Sequence, residues 1–171
     1  PAMTVPYDPA FRRRLKAAMA GDGDDELERD LTIAHGATVK KLLAENGLAA
    51  AEIAVIGFHG QTAFHDPANG ITRQLGDGAL LANETGIPMV NDFRSADMAA
   101  GGEGAPMAPL YHAALASLTA LAGGLKRPLC VLNIGGVANA TWLGEADGDI
   151  RAFDCGPGNA LIDDWTAPTI G

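Results

Sequence analysis

Mostly apolar residues in the first third of the chain recur with the period of an α-helix. Between Asp24 and Gly47 they form one stripe, at Leu27, Leu31, Ala34, Thr38 and Leu42. Acidic residues open this segment and Asn46-Gly47 closes it, as the helix dipole and the left-handed helix end favour. A shorter helix is predicted over residues 9–20, with proline in its first turn. Both helices are expected to serve as scaffold.

Short apolar runs rich in β-branched residues predict two strands in the middle of the chain. Residues 53–58 and 87–90 have this pattern, which is typical of strands covered on both faces in a parallel or mixed sheet. A helix is predicted between them, over residues 77–84. His59 and Asp92 directly follow the two strands, at the edge where open α/β sheets bind ligands.

The second half of the chain predicts a helix, three strands and the start of another helix. In chain order these are a helix over 105–122, strands over 128–132, 140–143 and 151–153, and a helix from Ala160 to Trp165. The first two of these strands are expected to pair antiparallel through a glycine turn. Residues 123–127 are the predicted boundary between two lobes, because they follow a long helix and precede a new hairpin. The fold class is therefore α/β.

The net negative charge of the chain limits the classes of molecule that it is expected to bind. The chain has 171 residues, of which 47% are hydrophobic, enough for one domain or for two unequal pieces of a larger one. Lys and Arg number 12 against 21 Asp and Glu, so nucleic acid and an anionic membrane surface are not expected partners. Binding of a ligand that carries phosphate would require a local positive charge, from Mg²⁺ or from converging backbone N–H groups.

The sequence also bears on location. No apolar stretch approaches the roughly 20 residues of a membrane span, and residues 1–6 lack the pattern of an export signal. Cys130 and Cys155 have a spacing that fits no zinc or redox motif. Two free thiols in a reducing cytoplasm are the expected state.

Asp92 is the candidate catalytic residue. A carboxylate just after a buried strand can be partly desolvated, which raises its basicity, and Arg94 can restrain its ionisation or bind substrate oxygen. The alternative is an aspartate that caps the following turn, with Arg94 as its surface partner. Asp97 is either a second carboxylate or, in the favoured interpretation, the cap of a helix over residues 98–100.

His59, Gln61 and Thr62 form a cluster of donors and acceptors that suits sugar hydroxyls. A single histidine after a strand is equally often a structural hydrogen-bond bridge, so this alternative stays open. His65 and Asp66 lie nearby, but the spacing matches no strong ligand motif, and no direct metal ligand is predicted.

Three glycine clusters, at residues 101–106, 133–139 and 154–159, each follow an apolar run. The pair Gly135-Gly136 in a hairpin turn could let a phosphate approach the backbone, but an ordinary β-turn has the same residues. The P-loop pattern is absent, because no Gly-Lys-Ser or Gly-Lys-Thr follows. Asp154 and Gly156 to Asn159 could equally be a turn and a helix cap.

Five ordered segments resemble the motifs of the anhydro-N-acetylmuramic acid kinases. They are Phe58-His59-Gly60-Gln61-Thr62, Asn91-Asp92-Phe93-Arg94, Gly101-Gly102-Glu103-Gly104-Ala105-Pro106, Asn133-Ile134-Gly135-Gly136-Val137-Ala138-Asn139 and Phe153-Asp154-Cys155-Gly156-Pro157-Gly158-Asn159. The resemblance implies the sugar kinase, actin and heat-shock ATPase superfamily, whose ribonuclease-H-like (actin-like ATPase) lobes close over ATP. It implies a mixed sheet with flanking helices in an incomplete two-lobe kinase, with residues 1–127 in the sugar-binding lobe and 128–171 opening the second.

The resemblance also implies a reaction and roles for residues. Such kinases open the 1,6-anhydro bond of the cell-wall sugar with water and phosphorylate the freed 6-oxygen, in cytoplasmic peptidoglycan recycling. Asp92 would be the base that deprotonates the water. The implied substrate-binding residues are His59, Gln61, Thr62, Arg94, Gly102, Glu103, Gly104, Ala105 and Pro106. The implied nucleotide-binding residues are Asn133, Gly135, Gly136, Asn139, Asp154, Gly156, Gly158 and Asn159. ATP and Mg²⁺ are the implied cofactors, with Mg²⁺ held mainly through waters, and a homodimer is implied at full length.

The chain departs from the family pattern in three ways. The Gly-Thr-Ser-x-Asp-Gly nucleotide loop and most of the second lobe are missing, so a central excerpt that does not turn over alone is expected. Glu103 stands where the family usually has Gln, and Cys155 where it usually has Thr. Two alternatives stay open: a sugar-binding module that lost phosphoryl transfer, and a glycosidase that uses Asp92 and Asp97 as its carboxylate pair.

Overall fold

The computed structural model describes residues 1–21, 25–121 and 123–170, in two compact units, Pro1–Ala105 and Pro106–Gly171. The first unit contains α1 (Pro9–Met19), α2 (Asp25–Glu45), β1 (Ile56–Phe58), β2 (Gln61–Asp66), β3 (Ile71–Leu75), α3 (Gly78–Thr85), β4 (Met89–Asn91) and α4 (Ser95–Ala99). The second contains α5 (Ala108–Leu121), β5 (Leu129–Ile134), β6 (Val137–Leu143), β7 (Ile150–Pro157) and α6 (Ala160–Ile170). The predicted α/β class is confirmed, and a lobe boundary at 127 stays a prediction.

The predicted helices of the first unit form where the pattern places them. Asp8 caps α1, since its carboxylate accepts a hydrogen bond from the Phe11 N–H at 2.9 Å. The predicted stripe on α2 is buried at Leu27 and Leu31, which pack with Leu15 of α1. The predicted start of α2 at Asp24 and the predicted end of α5 at Ala122 lie outside the described residues.

Within the described residues the strands form three small sheets, so one continuous mixed sheet is not observed. β1 pairs parallel with β4, β2 pairs antiparallel with β3, and β5, β6 and β7 form an antiparallel meander. The expectation that β1 and β4 are covered on both faces is wrong for this chain. Val55 beside β1 and Val90 in β4 are about half exposed, so one face of this strand pair is not covered by the described residues.

The hairpin of β2 and β3 was not predicted, because its strands carry many polar residues and no strong alternation. Its turn is built by Asp66, whose Oδ1 accepts from the Asn69 N–H at 3.3 Å, and by Gly70 with a φ of 67°. The register pairs Gln61 with Leu75 and Thr62 with Gln74, and it shifts between Thr62 and Phe64. This hairpin brings a polar strand into the neighbourhood of Asp92, as described below.

The strands of the second unit are longer than predicted, since β5 ends at Ile134, β6 begins at Val137 and β7 spans Ile150–Pro157. Asp154 and Gly156 therefore lie in a strand, and the alternative of a turn at these residues is not observed. His112 of α5 links the helix to the sheet through a 2.9 Å hydrogen bond between its Nδ1 and Oγ1 of buried Thr141.

Both cysteines are free thiols, as predicted. None of the helices that the structure describes combines the length and apolar character needed to cross a membrane.

Half-buried His35 on α2 gives the first unit a predicted pH dependence. Its Nε2 lies 2.7 Å from the Tyr7 hydroxyl, and its ring centroid lies 5.2 Å from that of Phe58. Burial, and secondarily the charge of His59, lowers the pKa of His35 below its ordinary value. The unfolded chain therefore binds more protons than the folded chain just below pH 6.5 or so, the ordinary histidine pKa.

We expect stability to fall as pH drops from about 6.5 through the lowered pKa of folded His35. Melting temperatures at about pH 7.5 and about pH 5.5 should differ less in His35→Gln than in the wild type. An equal drop in the two proteins would contradict the assignment of this pH dependence to His35.

Candidate functional site

A cavity of about 260 Å³ opens in the first unit beside Asp92. It collects residues from the three strands β1, β3 and β4 and from the segments that follow them. Its lining consists of Phe58, His59, Gly60, Thr72, Arg73, Gln74, Gly76, Asn91, Asp92 and Ser95. The predicted convergence of the two strand ends on one site is therefore observed for His59 and Asp92.

Two glycines allow the chain to pass closely at the wall of this cavity. Gly60 has a φ of 63°, and a Cβ atom there would overlap the carbonyl oxygen of Leu75. Gly76 has a φ of 140°, and a Cβ atom there would lie 2.6 Å from the ring of Phe58. Any side chain at either position would push β2 and β3 away from β1.

Helix α2 holds the turn that follows β3. The Oε1 of Glu28 accepts a hydrogen bond from the Gly76 N–H at 2.8 Å, and Oγ1 of buried Thr32 accepts from the Asp77 N–H at 3.0 Å. Asp77 in turn caps α3 by accepting from the Leu80 N–H. The position of β3 at the cavity is thus fixed by a long-range contact with α2.

Asp92 makes the capping contacts that the sequence left open as the alternative to a catalytic role. Its backbone has a φ of 52°, and its Oδ1 accepts hydrogen bonds from Oγ of Ser95 at 2.6 Å and from the Ser95 N–H at 3.3 Å. The capping alternative is therefore observed. Its Oδ2 accepts no hydrogen bond from the part of the chain that the structure describes. Asp92 is exposed, so the predicted partial desolvation is not present in this chain.

Arg94 does not pair with Asp92 in the described structure. It donates instead to Oγ1 of Thr62 at 3.2 Å, which links the loop after β4 to β2. Gln61 donates from its Nε2 to the carbonyl oxygen of Thr62 at 3.3 Å, and it does not line the cavity. Thr62 and Arg94 therefore contact each other, and neither of them lines the cavity.

The loop at residues 101–106 is anchored by Asp97. The Oδ2 of Asp97 accepts a hydrogen bond from the N–H of buried Gly104 at 2.8 Å. The prediction that Asp97 caps a helix over 98–100 is wrong, because α4 starts at Ser95 and Asp97 lies inside it. Gly102 and Glu103 are exposed, Ala105 is half-buried, and Pro106 is the first residue of the second unit. These loop residues do not line the cavity, and the Asp92–Asp97 carboxylate pair of a glycosidase gains no support.

Sequence reasoning missed Thr72, Arg73, Gln74, Asn91 and Ser95 as residues of the cavity. Three of them come from β3, the strand that the apolar pattern did not reveal. The available signal was the Asn69-Gly70 pair, which is typical of a tight turn between two strands.

In the second unit, three of the predicted nucleotide-binding residues form one row across the sheet. Asn133 lies opposite Asn139, and Asn139 lies opposite Asp154. Directly opposite residues share a sheet face, so two amides and a carboxylate stand side by side. The register shift after Ala138 makes Cys155 the extra residue that aligns Asp154 with Asn139.

The two glycine clusters of the second unit meet at the start of α6. The carbonyl oxygen of Gly136 accepts from the Gly158 N–H at 2.9 Å, and that of Gly135 accepts from the Asn159 N–H at 2.8 Å. Gly156 pairs with Ala138 inside the sheet. The backbone N–H groups of Gly158 and Asn159 are therefore used by the hairpin turn, and the nucleotide-binding role of both residues stays a prediction.

Comparison with known proteins identifies relatives along the whole chain. The family described as "AnmK: Anhydro-N-acetylmuramic acid kinase" matches residues 2–171. Proteins named anhydro-N-acetylmuramic acid kinase are similar to this chain in Paramagnetospirillum magneticum (53% identical over 100% of the chain and 46% of the relative) and in Rhodospirillum rubrum (50% identical over 96% and 43%). The protein of that name from Methylobacterium nodulans is 55% identical over 82% of the chain and 36% of its own length.

These matches define a kinase class, the carbohydrate kinases, and they confirm the resemblance seen in the motifs. The chain belongs to the anhydro-N-acetylmuramic acid kinase family. It spans less than half of the length of the curated relatives it matches.

Proposed function

We propose that the full-length protein carrying this chain is an ATP-dependent kinase of 1,6-anhydro-N-acetylmuramic acid. It opens the anhydro bond with water and forms N-acetylmuramic acid 6-phosphate and ADP, in cytoplasmic recycling of peptidoglycan. The observation that carries the proposal is the position of Asp92 at the wall of a cavity of about 260 Å³, in a chain of this family. The alternative of a sugar-binding module without phosphoryl transfer gains no support, since the matched relatives named above are all named as kinases.

The geometry of Asp92 supports the role of general base. Ser95 fixes one carboxylate oxygen by two hydrogen bonds, which orients the side chain without neutralising it. The second oxygen takes a proton from water as that water attacks the anomeric carbon. The bond from this carbon to the bridging oxygen breaks, and the released 6-oxygen attacks the γ-phosphorus of ATP, with ADP as the leaving group.

The sugar side of the site is assigned to the first unit. His59 lines the cavity and supplies ring nitrogens for sugar hydroxyls. Thr62 and Arg94 stabilise the wall behind it through their mutual hydrogen bond. The remaining substrate contacts, from Gln61 and from the loop at 102–106, are proposed for the sugar-bound enzyme.

The nucleotide side is assigned to the second unit. Its row of Asn133, Asn139 and Asp154 offers two neutral amides and a single carboxylate. In the described residues no group of three or more metal-binding side chains is assembled. This donor set fits Mg²⁺ held by phosphate oxygens and waters, with Asp154 as its protein partner, because Mg²⁺ retains several waters. When bound there, Mg²⁺ would supply positive charge to offset that of the phosphates.

The family assignment extends the proposal beyond this chain. A ribonuclease-H-like fold of two lobes, with the sugar in the first and the nucleotide in the second, is proposed for the full-length protein. A homodimer in the cytoplasm is proposed on the same basis.

The reaction itself is the test. Purified full-length protein, incubated with 1,6-anhydro-N-acetylmuramic acid and Mg·ATP, should form ADP and N-acetylmuramic acid 6-phosphate in equal amounts, measured by coupled ADP assay and mass spectrometry. Reactions without ATP should leave the anhydro bond intact. Ring opening without ATP would instead indicate a glycosidase, and no sugar-dependent ADP would overturn the proposal.

A further inference from the structure

The side chain of Gln74, in the middle of β3, contains a buried oxygen that has no hydrogen-bond partner. Its Oε1 is the one buried side-chain nitrogen or oxygen in this state among the described residues 1–21, 25–121 and 123–170. Buried polar atoms in proteins are nearly always paired, because an unpaired one loses its hydrogen bonds to water and gains none in return. The unpaired oxygen therefore needs a reason.

Two polar side chains beside Gln74, those of Thr62 and Thr72, have partners within the protein. Thr62, directly opposite on β2, accepts from Arg94 at 3.2 Å. Thr72, two residues earlier and on the same face of β3, lies with its Oγ1 at 3.2 Å from Nδ1 of His65. Two threonines beside Gln74 are thus hydrogen-bonded, while its own Oε1 is not.

The location of Gln74 indicates where its missing donor comes from. Gln74 lines the same cavity as Asp92 and His59. Its strand is held in place by the hydrogen bond from the Gly76 N–H to Glu28 on α2, so the backbone of Gln74 stays beside the cavity. A ligand bound in the cavity lies against Gln74, and a rotation of the amide would bring its oxygen to a donor on that ligand.

We propose that Gln74 is a sugar-recognition residue, whose Oε1 accepts a hydrogen bond from a neutral N–H or O–H donor of the bound carbohydrate. The inference rests on the proposed function and deepens it, by adding a specificity-determining residue beside the catalytic base. A site built around an unpaired buried acceptor discriminates strongly against ligands that lack the matching donor.

The test compares two variants of the full-length enzyme. Gln74→Met keeps the length of the side chain and removes the amide, so the KM for the sugar should rise about 10-fold or more, as expected for a lost buried hydrogen bond. The KM for ATP should stay within about 2-fold, and the melting temperature should be unchanged or higher, because an unpaired buried polar atom is removed. Ile71→Met, on the same strand at an exposed position outside the cavity lining, is the matched control and should leave all three values unchanged.

Two sugars identify the donor. With 1,6-anhydro-N-acetylmuramic acid and its analogue without the 2-acetamido group, a Gln74→Met penalty that vanishes for the analogue assigns the donor to the acetamido N–H. A penalty that persists assigns it to a hydroxyl. Either result supports sugar recognition by Gln74.

Other results would overturn the inference. An active wild type with an unchanged sugar KM in Gln74→Met would refute it while leaving the proposed function intact. A higher KM accompanied by a melting temperature lower by about 5 °C or more would indicate a structural role instead. A wild type that forms no sugar-dependent ADP would overturn the proposed function and this inference together.

Discussion

Replacing Asp92 with Asn in the full-length enzyme is expected to lower kcat roughly 10²- to 10⁴-fold, the usual contribution of a general base. The substitution removes the group that accepts the proton and leaves the other contacts of residue 92 in place. An asparagine keeps an Oδ1 acceptor for the Ser95 N–H and hydroxyl, and it tolerates the backbone φ of 52° at this position. The cavity wall is therefore retained while the basic oxygen is lost.

Steady-state kinetics and calorimetric sugar binding together check this expectation. Sugar affinity should remain within several-fold of the wild type, since only the step that consumes water is affected. Asp30→Asn is the matched control, because Asp30 pairs with Arg14 on an exposed surface at 2.6 Å and its charge is not used in the reaction. If Asp92→Asn retains most of the wild-type rate, the assignment of the base is wrong.

Replacing Gly60 with Ala is expected to reduce the free energy of unfolding by roughly 3–5 kcal/mol, at the high end for single substitutions. Two costs combine. The φ of 63° strains any residue with a Cβ atom, and that atom would also overlap the carbonyl oxygen of Leu75, which belongs to the rigid backbone of β3. Relief requires β3 to move, and with it the cavity residues Thr72 and Gln74.

Gly70→Ala separates the two costs. Gly70 has nearly the same φ, 67°, in the turn between β2 and β3, but nothing lies within 4 Å of its added Cβ atom. Its expected loss is only about 1 kcal/mol, from backbone strain alone. Thermal or urea unfolding of both variants measures the difference. Equal losses would mean that the close passage of residue 60 beside β3 is not important for stability.

At Asp92, the position in the fold was predictable from the local sequence, while the side-chain contacts were not. Its position after an apolar run was predictable from the sequence, because burial and strand formation leave a local pattern of residues. Its hydrogen bonds to Ser95 and the pairing of Arg94 with Thr62 were not, because they depend on the path of the chain after β4. The predicted interaction of Arg94 with Asp92 rested on spacing alone, and spacing does not determine the direction of a side chain.

In the sheet of the second unit, the hairpin was predictable from the sequence and the register of the strands was not. The hairpin of β5 and β6 followed from two apolar runs around a glycine pair. The alignment of Asn133, Asn139 and Asp154 required the extra residue Cys155, and a one-residue change in register would turn Asp154 to the other face. Such a shift is set by the pairing of whole strands.

Most helices and strands of the described residues, the α/β class and the family were predictable from the sequence, because periodicity, turn residues and ordered motifs are properties of short segments. The start of α4 at Ser95 was not. Tertiary structure alone decided that polar β3 joins the cavity beside Asp92 and that the oxygen of Gln74 lacks a partner there. Strand pairing and side-chain burial depend on contacts with residues from distant parts of the chain. The residues of one short segment therefore do not determine them.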